Sequence, residues 1–224
     1  MNYRWLGWMG FIAVLAGCAS GKPPLHQELG SNTIRVGVVL SFFEKNGIPD
    51  RLDAMAAASL ETALSSTGLM DRMSSGIGRV MGDDSDEVHI QLLTRDRLKQ
   101  VMQEQRLQTS GVADADQMVA LGKVAGLQVV VTLEPTSLRS EEIKFRKGER
   151  YCVQRTAYAG LRIAAIRVDT GAIVVGGYYE GDEESSDCDT RSYRMDKLEP
   201  ADMLIRKAAQ EATESFASDF RGSL

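Results

Sequence analysis

Apolar and polar residues alternate in a two-residue period near the start of the chain and then change to a helical period. Every second residue from Ile34 to Leu40 is apolar, which predicts a strand over Thr33–Leu40 with one buried face. The helical period follows over residues 50–68 and predicts an amphipathic helix. Gly68 suits the end of this helix, because glycine readily adopts the left-handed conformation found there.

The stretch from His89 to Pro135 has the pattern strand, helix, turn, helix, strand. The predicted elements are a strand over His89–Leu93, a helix over Thr94–Leu107, a helix from Asp114 to Ala125 and a strand over Leu127–Leu133 that Pro135 ends. Gly126 fits the residue that follows a helix. We expect this unit to be a scaffold that sets its two strands side by side.

The last third of the chain predicts a β-hairpin and a final helix. The hairpin covers Tyr158–Tyr179, with Asp169–Gly171 as a three-residue loop. The charged segments on either side, 134–160 and 180–199, are expected to be solvated loops. A long apolar stripe after Pro200 predicts a core helix to the C-terminus. The fold class expected is α/β (α+β): one mixed β-sheet flanked by amphipathic helices, with a long β-hairpin.

Two cysteines fall at matching positions of the predicted hairpin. If Val168 pairs with Ala172 and the ladder is unbroken, Cys152 lies opposite Cys188. A disulfide there would close a loop of about 35 residues and contribute roughly 3–4 kcal/mol in the chain-entropy model. The alternative is a pair of unbonded buried thiols.

The N-terminus has the pattern of an exported lipoprotein. A short apolar run precedes Leu15-Ala16-Gly17-Cys18, which is similar to a bacterial lipobox. We therefore expect residues 1–17 to be a signal peptide, Cys18 to carry the lipid (palmitate among its acyl groups), 18–32 to be a tether and 33–224 to be one periplasmic domain. Ala19 favours the outer membrane. The alternative is an ordinary secretory signal with a chance cysteine.

Composition and motifs argue against several classes of function. The 224-residue chain has a formal net charge of -5, which gives no electrostatic reason for nucleic-acid binding. No nucleophile–His–acid arrangement, HExxH or CxxC motif is present, so we expect no catalytic residue, no cofactor and no metal. The remaining metal alternatives are two acidic runs, Asp83/Asp84/Asp86 and residues 182–189.

Several segments, taken in order, resemble the curli-secretion (CsgG-like) lipoprotein family. They cover most of residues 33–220 and comprise Arg35–Leu40, Arg95–Leu98, Val101–Gln105, Ser110-Gly111, Leu121–Leu127, Leu161–Ile163 and Val168–Val174. The resemblance implies an outer-membrane assembly component that faces the periplasm, forms homo-oligomers and contacts other cell-envelope proteins.

In the secretion channels of that family, two hairpins of each subunit enter the membrane and the loop after the first strand narrows the pore. Carried over, the hairpins would lie in 134–160 and 176–199, and Phe42 and Phe43 are the constriction candidates. The hairpin segments lack the alternating apolar residues that a barrel strand needs. Phe42 and Phe43 could equally pack in the core.

Two other lipoprotein types remain alternatives. The chain is similar in size and order of elements to LpoB-like activators of penicillin-binding proteins and to flagellar-ring accessory proteins. The LpoB-like type usually has a long linker, whereas the linker expected here is about a dozen residues.

Overall fold

The computed structural model describes residues 25–30, 32–40, 50–65, 88–93, 97–98, 100–101 and 115–224. Within these residues a five-stranded mixed sheet has the order β2-β1-β3-β4-β5. Its strands are β1 (Thr33–Leu40), β2 (His89–Leu93), β3 (Val129–Lys147), β4 (Arg150–Arg167) and β5 (Ile173–Asp189). The helices are α1 (Leu25–Leu29), α2 (Asp50–Ser65), α3 (Ala115–Ala125) and α4 (Ala201–Gly222). The predicted α+β fold is thus confirmed.

An interior strand of the sheet is β1, which pairs in parallel with β2 on one side and with β3 on the other. The expectation that the strands at 89–93 and 127–133 lie side by side is therefore wrong. Val38 and Val39 are both buried although they point to opposite faces. A strand that is apolar on both faces takes a central position in a parallel sheet, which places β1 between the other two.

Helices cover both faces of this sheet. On one face, α2 and α4 bury Leu60, Phe216 and Phe220 against β1, β3 and β4. On the other face, α3 packs through Met118 and Leu121. The apolar stripe predicted for the final helix is confirmed, since its buried residues include Leu204, Ile205, Ala208, Ala209, Ala212, Phe216 and Phe220.

The prediction that Pro135 ends the third strand is wrong, because β3 runs on to Lys147. A register shift between Pro135 and Ser137 marks a bulge against β4. On the side that faces β1, the pairing of β3 stops at Leu133. Proline has no backbone N–H, but at Pro135 this costs the sheet no hydrogen bond to β1. Proline is tolerated in strands at bulges and free edges, and both conditions hold here.

The prediction that 180–199 is a loop is also wrong over its first half, since β5 extends to Asp189. The turn before β5 differs by one residue from the predicted one. Arg167 N–H donates to the Ala172 carbonyl at 2.9 Å, and Gly171 has φ 71°. A bulge between Ile173 and Val175 then restores the predicted register, which holds from Ala165–Val175 to Tyr151–Asp189.

The segment expected to be a tether is partly built into the fold. Leu25–Leu29 forms α1, Leu25 is 3% exposed, and its backbone N–H donates to the Ser223 carbonyl at 3.1 Å. Leu25 belongs to the same apolar cluster as Phe220, so burial of its side chain explains why a polar, proline-containing segment is held at this point.

Candidate functional site

The most distinctive feature of the fold is a three-stranded arm. It consists of residues 139–147 of β3, 150–160 of β4 and 178–189 of β5, which continue beyond the part of the sheet that includes β1. At its tip, Lys147 pairs with Arg150 around a two-residue turn, and Gly148 has φ 64°. A glycine with positive φ at the first position of such a turn fits a type II′ hairpin.

One face of the arm rests on α4 and on the segment that precedes it. Ala157 is buried against Leu204 and Ile205. The Arg155 guanidinium donates to the Glu199 carbonyl and to the Glu142 carboxylate, both at 2.6 Å. We call this side the helix face. Its side chains come from odd-numbered residues of β4, because successive strand residues point to opposite faces.

The opposite side, which we call the open face, carries apolar side chains that are exposed. Ile143 is 54% exposed, Phe145 37% and Tyr178 54%. Between them the guanidinium of Arg139 lies 5.2 Å from the centre of the Tyr158 ring, as in a cation–π contact. Ile143 and Phe145 lie two residues apart on β3 and so adjoin on this face, whereas Tyr178 lies at the base of the arm. Adjoining exposed apolar side chains favour a binding surface rather than a solvated loop.

A disulfide joins β4 and β5 on the open face. Cys152 pairs with Cys188 in the β-ladder, and their sulfur atoms are bonded at 2.09 Å. Cys152 is completely buried, and the neighbouring position on β3 is Phe145. The bond ties β4, the middle strand of the arm, to β5, so it stiffens the sheet on which Phe145 lies.

The two edges of the arm differ in charge. Six carboxylates occur on β5 within residues 180–189, whereas the end of β3 and the start of β4 carry basic side chains, namely Lys144, Arg146, Lys147 and Arg150, with Glu149 between them in the turn. On the acidic edge, the backbone N–H of Asp182 donates to the Glu211 carboxylate of α4 at 3.0 Å. This contact shows that the N–H of Asp182 points outward from the sheet.

The base of the arm is fixed to α4 by Tyr179. Its hydroxyl donates to the Asp219 carboxylate at 3.1 Å, and its ring meets Phe216 edge-on with centroids 5.5 Å apart. Burial, with a smaller contribution from Asp219, raises the pKa of Tyr179 to about 12. The phenol is therefore neutral at physiological pH and acts as a hydrogen-bond donor.

The predicted site residues fall into two groups. Cys18, Phe42, Phe43 and the run Asp83/Asp84/Asp86 lie outside the described residues, and so do the expected signal peptide and residues 18–24 and 31 of the expected tether. The second acidic run, 182–189, forms a strand. Within the described part of the chain, no group of three or more His, Cys, Asp or Glu side chains is arranged to hold a metal ion.

Sequence reasoning located the disulfide but missed the open face. The signal was present in the sequence, because Ile143 and Phe145 alternate with Lys144 and Arg146 before the glycine turn. The high charge of the segment concealed that alternation. None of the described helices is long and apolar enough to cross a bilayer.

Comparisons with known proteins give distant similarities. No protein-family model matches the chain. An uncharacterized protein of Aquifex aeolicus (strain VF5) is 25% identical over 130 residues, which is 55% of this chain and 62% of that relative. The chain thus spans less than two thirds of the length of that curated relative.

Three of the solved structures to which the chain is similar have TM-scores below 0.4. The LpoB C-terminal domain from Escherichia coli is 14% identical, with 66% of this chain and 81% of that one covered and a TM-score of 0.37. Lipoprotein GNA1162 from Neisseria meningitidis is 10% identical, with 68% and 84% covered and a TM-score of 0.36. The hypothetical protein CT253 from Chlamydia trachomatis is 10% identical, with 83% and 98% covered and a TM-score of 0.38.

Proposed function

We propose that this protein is an outer-membrane-anchored periplasmic lipoprotein that acts without catalysis, by binding another cell-envelope protein through its arm. The open face carries this proposal, since it presents Ile143, Phe145 and Tyr178 to solvent on a rigid, disulfide-linked sheet. Exposed aromatic and aliphatic side chains of this kind form the centre of protein–protein interfaces.

The position of the proposed anchor limits where that partner is found. If Cys18 carries the lipid, only residues 19–24 separate it from Leu25, which is buried in the core. A fully extended chain spans at most ~3.3–3.6 Å per residue, so this link is on the order of 25 Å long. The domain would remain close to the membrane surface, which favours a partner located at or near the outer membrane.

A curli-type assembly component and an LpoB-like activator are the two forms of this proposal. The activator is the alternative drawn from the sequence, and an LpoB C-terminal domain is among the solved structures to which the chain is similar. An activator of a cell-wall synthase in the inner membrane would need a longer reach. Inserting a Gly/Ser segment before Leu25 should therefore increase the activity of an LpoB-like activator and leave that of an outer-membrane assembly component unchanged.

The proposal is tested in two steps with the full chain. Radioactive palmitate should label the wild type in the outer-membrane fraction, and Cys18→Ser should abolish the label and release the protein. Lack of label in the wild type would overturn the anchored form of the proposal.

The second step tests the open face. Purified protein should retain a labelled penicillin-binding protein or an outer-membrane assembly partner, and Ile143→Ser with Phe145→Ser should lose it. Ile173→Ser is the matched control, because Ile173 is 62% exposed but lies at the opposite end of β5. Equal retention by both variants would refute a role for the open face.

A further inference from the structure

The open face of the arm lies on the same side of β4 as α3. Both irregularities in the pairing of β4 place the extra residue in the neighbouring strand, so side chains alternate without interruption along β4 itself. Ile166, which shares an apolar cluster with α3, and Cys152 of the open face therefore point the same way. A helix thus packs on this side of the sheet at its core end, whereas Ile143 and Phe145 are exposed at the arm end.

The charges on the open face are divided along the length of the arm. Lys147 and Arg150 form the row nearest the tip. The next two rows carry no charge, and they are Phe145–Cys152–Cys188 and Ile143–Gln154–Ser186. In the three rows that follow toward the core, four carboxylates outnumber one base, the residues being Glu141, Glu180, Asp182, Glu184 and Arg139. The face is therefore basic at the tip, uncharged in the middle and acidic toward the core.

The charges at the two ends of the open face are not neutralised by neighbouring side chains. Arg139 and Glu141 are joined to each other at 2.7 Å. In the part of the chain that the structure describes, no ion pair within 4.0 Å involves the other end charges, namely Lys147, Arg150, Glu180, Asp182 and Glu184. Unpaired charges attract a partner of opposite sign, and they determine its orientation more than its affinity.

The open face has the dimensions of a helix. The arm has three strands, and two spacings of about 4.8 Å make the face about 10 Å wide between the outer strands. From Lys147 to Glu141, six residues of β3 span about 20 Å at ~3.4 Å per residue. An α-helix with its side chains is about 10–12 Å in diameter, and about 14 residues cover the same length. A helix laid along the arm would have its middle over Ile143 and Phe145.

The charges of the face also select the direction of such a helix. Acidic side chains in the first turn and basic side chains in the last turn stabilise an α-helix, because they compensate its dipole. Acidic residues at the N-terminus would pair with Lys147 and Arg150, and basic residues at the C-terminus would pair with Asp182 and Glu184. The charge order that stabilises the helix is thus the order that fits the face when the N-terminus lies at the tip.

From these observations we infer that the open face binds an amphipathic α-helix of the partner protein. The helix has an acidic N-terminal turn at the tip of the arm, an apolar stripe over Ile143 and Phe145, and a basic C-terminal turn toward the core. Binding of an amphipathic helix through its apolar stripe is a recurring mode of protein recognition. This inference rests on the proposed function, since it names the kind of segment that the open face takes from its partner.

The test uses the full chain in detergent and two synthetic peptides of about 14 residues. The peptides share one composition and one apolar stripe. The first has glutamates in its first turn and lysines in its last turn, and the second has the reverse order. Fluorescence anisotropy at low ionic strength should show about tenfold tighter binding of the first peptide. A peptide with proline at its centre cannot form the helix, and it should bind no more tightly than the first peptide binds to the variant Ile143→Ser with Phe145→Ser.

Reversing the charges of the protein separates recognition by the face from the helicity of the peptides. The charge-reversed variant carries four substitutions, namely Lys147→Glu, Arg150→Glu, Asp182→Lys and Glu184→Lys. It keeps the net charge and should prefer the second peptide. Arg206→Glu with Glu214→Lys is the matched control, because it exchanges charges at exposed sites of α4 and should keep the preference of the wild type.

Three outcomes with the peptides would overturn the inference. They are equal affinity of the wild type for the first and second peptides, an unchanged preference in the charge-reversed variant, and tight binding of the proline peptide. The proposed function is tested separately by retention of the partner protein. Retention by the charge-reversed variant, with loss on Ile143→Ser with Phe145→Ser, would refute the charge-directed helix and leave the proposed function intact.

Discussion

At the scale of single residues, Gly181 determines how closely α4 approaches the sheet. A Cβ atom at this position would collide with the backbone carbonyl oxygen of Ala208 and crowd the backbone of Ala212. Backbone atoms of a packed helix cannot move aside as the end of a flexible side chain can. The contact therefore couples the position of α4 to that of the arm.

Gly181→Ala should destabilise the protein by about 1–3 kcal/mol through overpacking against α4. Gly177→Ala is the matched control on the same strand. Its Cβ would meet only the Tyr179 ring, at 3.7 Å, which is ordinary contact. Thermal unfolding followed by circular dichroism compares the two variants, and a similar loss for both would contradict the close approach at Gly181.

Asp169 gives the hairpin turn a dependence on pH. Its carboxylate accepts a hydrogen bond from the Arg167 Nε at 2.9 Å, and this bond lowers the pKa of Asp169. A group whose pKa is lowered by folding stabilises the protein above its unfolded pKa, which is about 3.9 for aspartate. That contribution is lost as the pH falls through the lower, folded pKa.

We therefore expect Asp169→Asn to lower the melting temperature by a constant amount at neutral and mildly acidic pH. The difference from the wild type should shrink below about pH 4, where the wild-type carboxylate begins to take up a proton. A difference that persisted unchanged to about pH 2 would show that the charge of Asp169 contributes nothing.

At the scale of elements, the sequence predicts those whose apolar pattern is clean. The strands at Thr33–Leu40 and His89–Leu93 and the final helix are confirmed within one or two residues. The arm was missed because Ser140–Arg150 and the acidic run of β5 are too charged to show a buried face. These charged strands form because they are hydrogen-bonded to β4. The alternation of residues within one strand does not reveal such pairing.

The candidate site could be predicted only where the strand register of the hairpin could be counted from the sequence. The register of the hairpin located Cys152 opposite Cys188, and the structure has the disulfide there. The one-residue error at the turn did not propagate, because the bulge after Ile173 cancels it. The open face depends on which side α4 covers, and that is decided by tertiary packing rather than by local sequence.

The disulfide should stabilise the arm against the unfolded chain. The cysteines are separated by 36 residues, and replacing both by alanine should cost roughly 3–4 kcal/mol in the chain-entropy model. Chemical denaturation of the wild type, with and without reductant, measures this cost. Reductant should not affect the double variant, and an equal effect on both proteins would assign the loss to something other than this bond.

At the scale of the whole molecule, Leu25, which follows the proposed anchor, and the middle of the arm contact opposite ends of α4. Leu25 contacts Ser223 at the C-terminal end of that helix, whereas Arg155 of the arm contacts Glu199 just before its N-terminal end. A 22-residue helix is about 33 Å long at 1.5 Å per residue. A short anchor at one end would thus hold the domain near the membrane while the arm extends from the other end.

The most direct test of this account is photo-crosslinking in living cells from the open face. A photoreactive residue at Ile143 should give one defined adduct of higher mass in the outer-membrane fraction, and the same residue at Ile173 should give none. An adduct from Ile173 alone, or no adduct from either position, would contradict the claim that the protein works by binding through its arm.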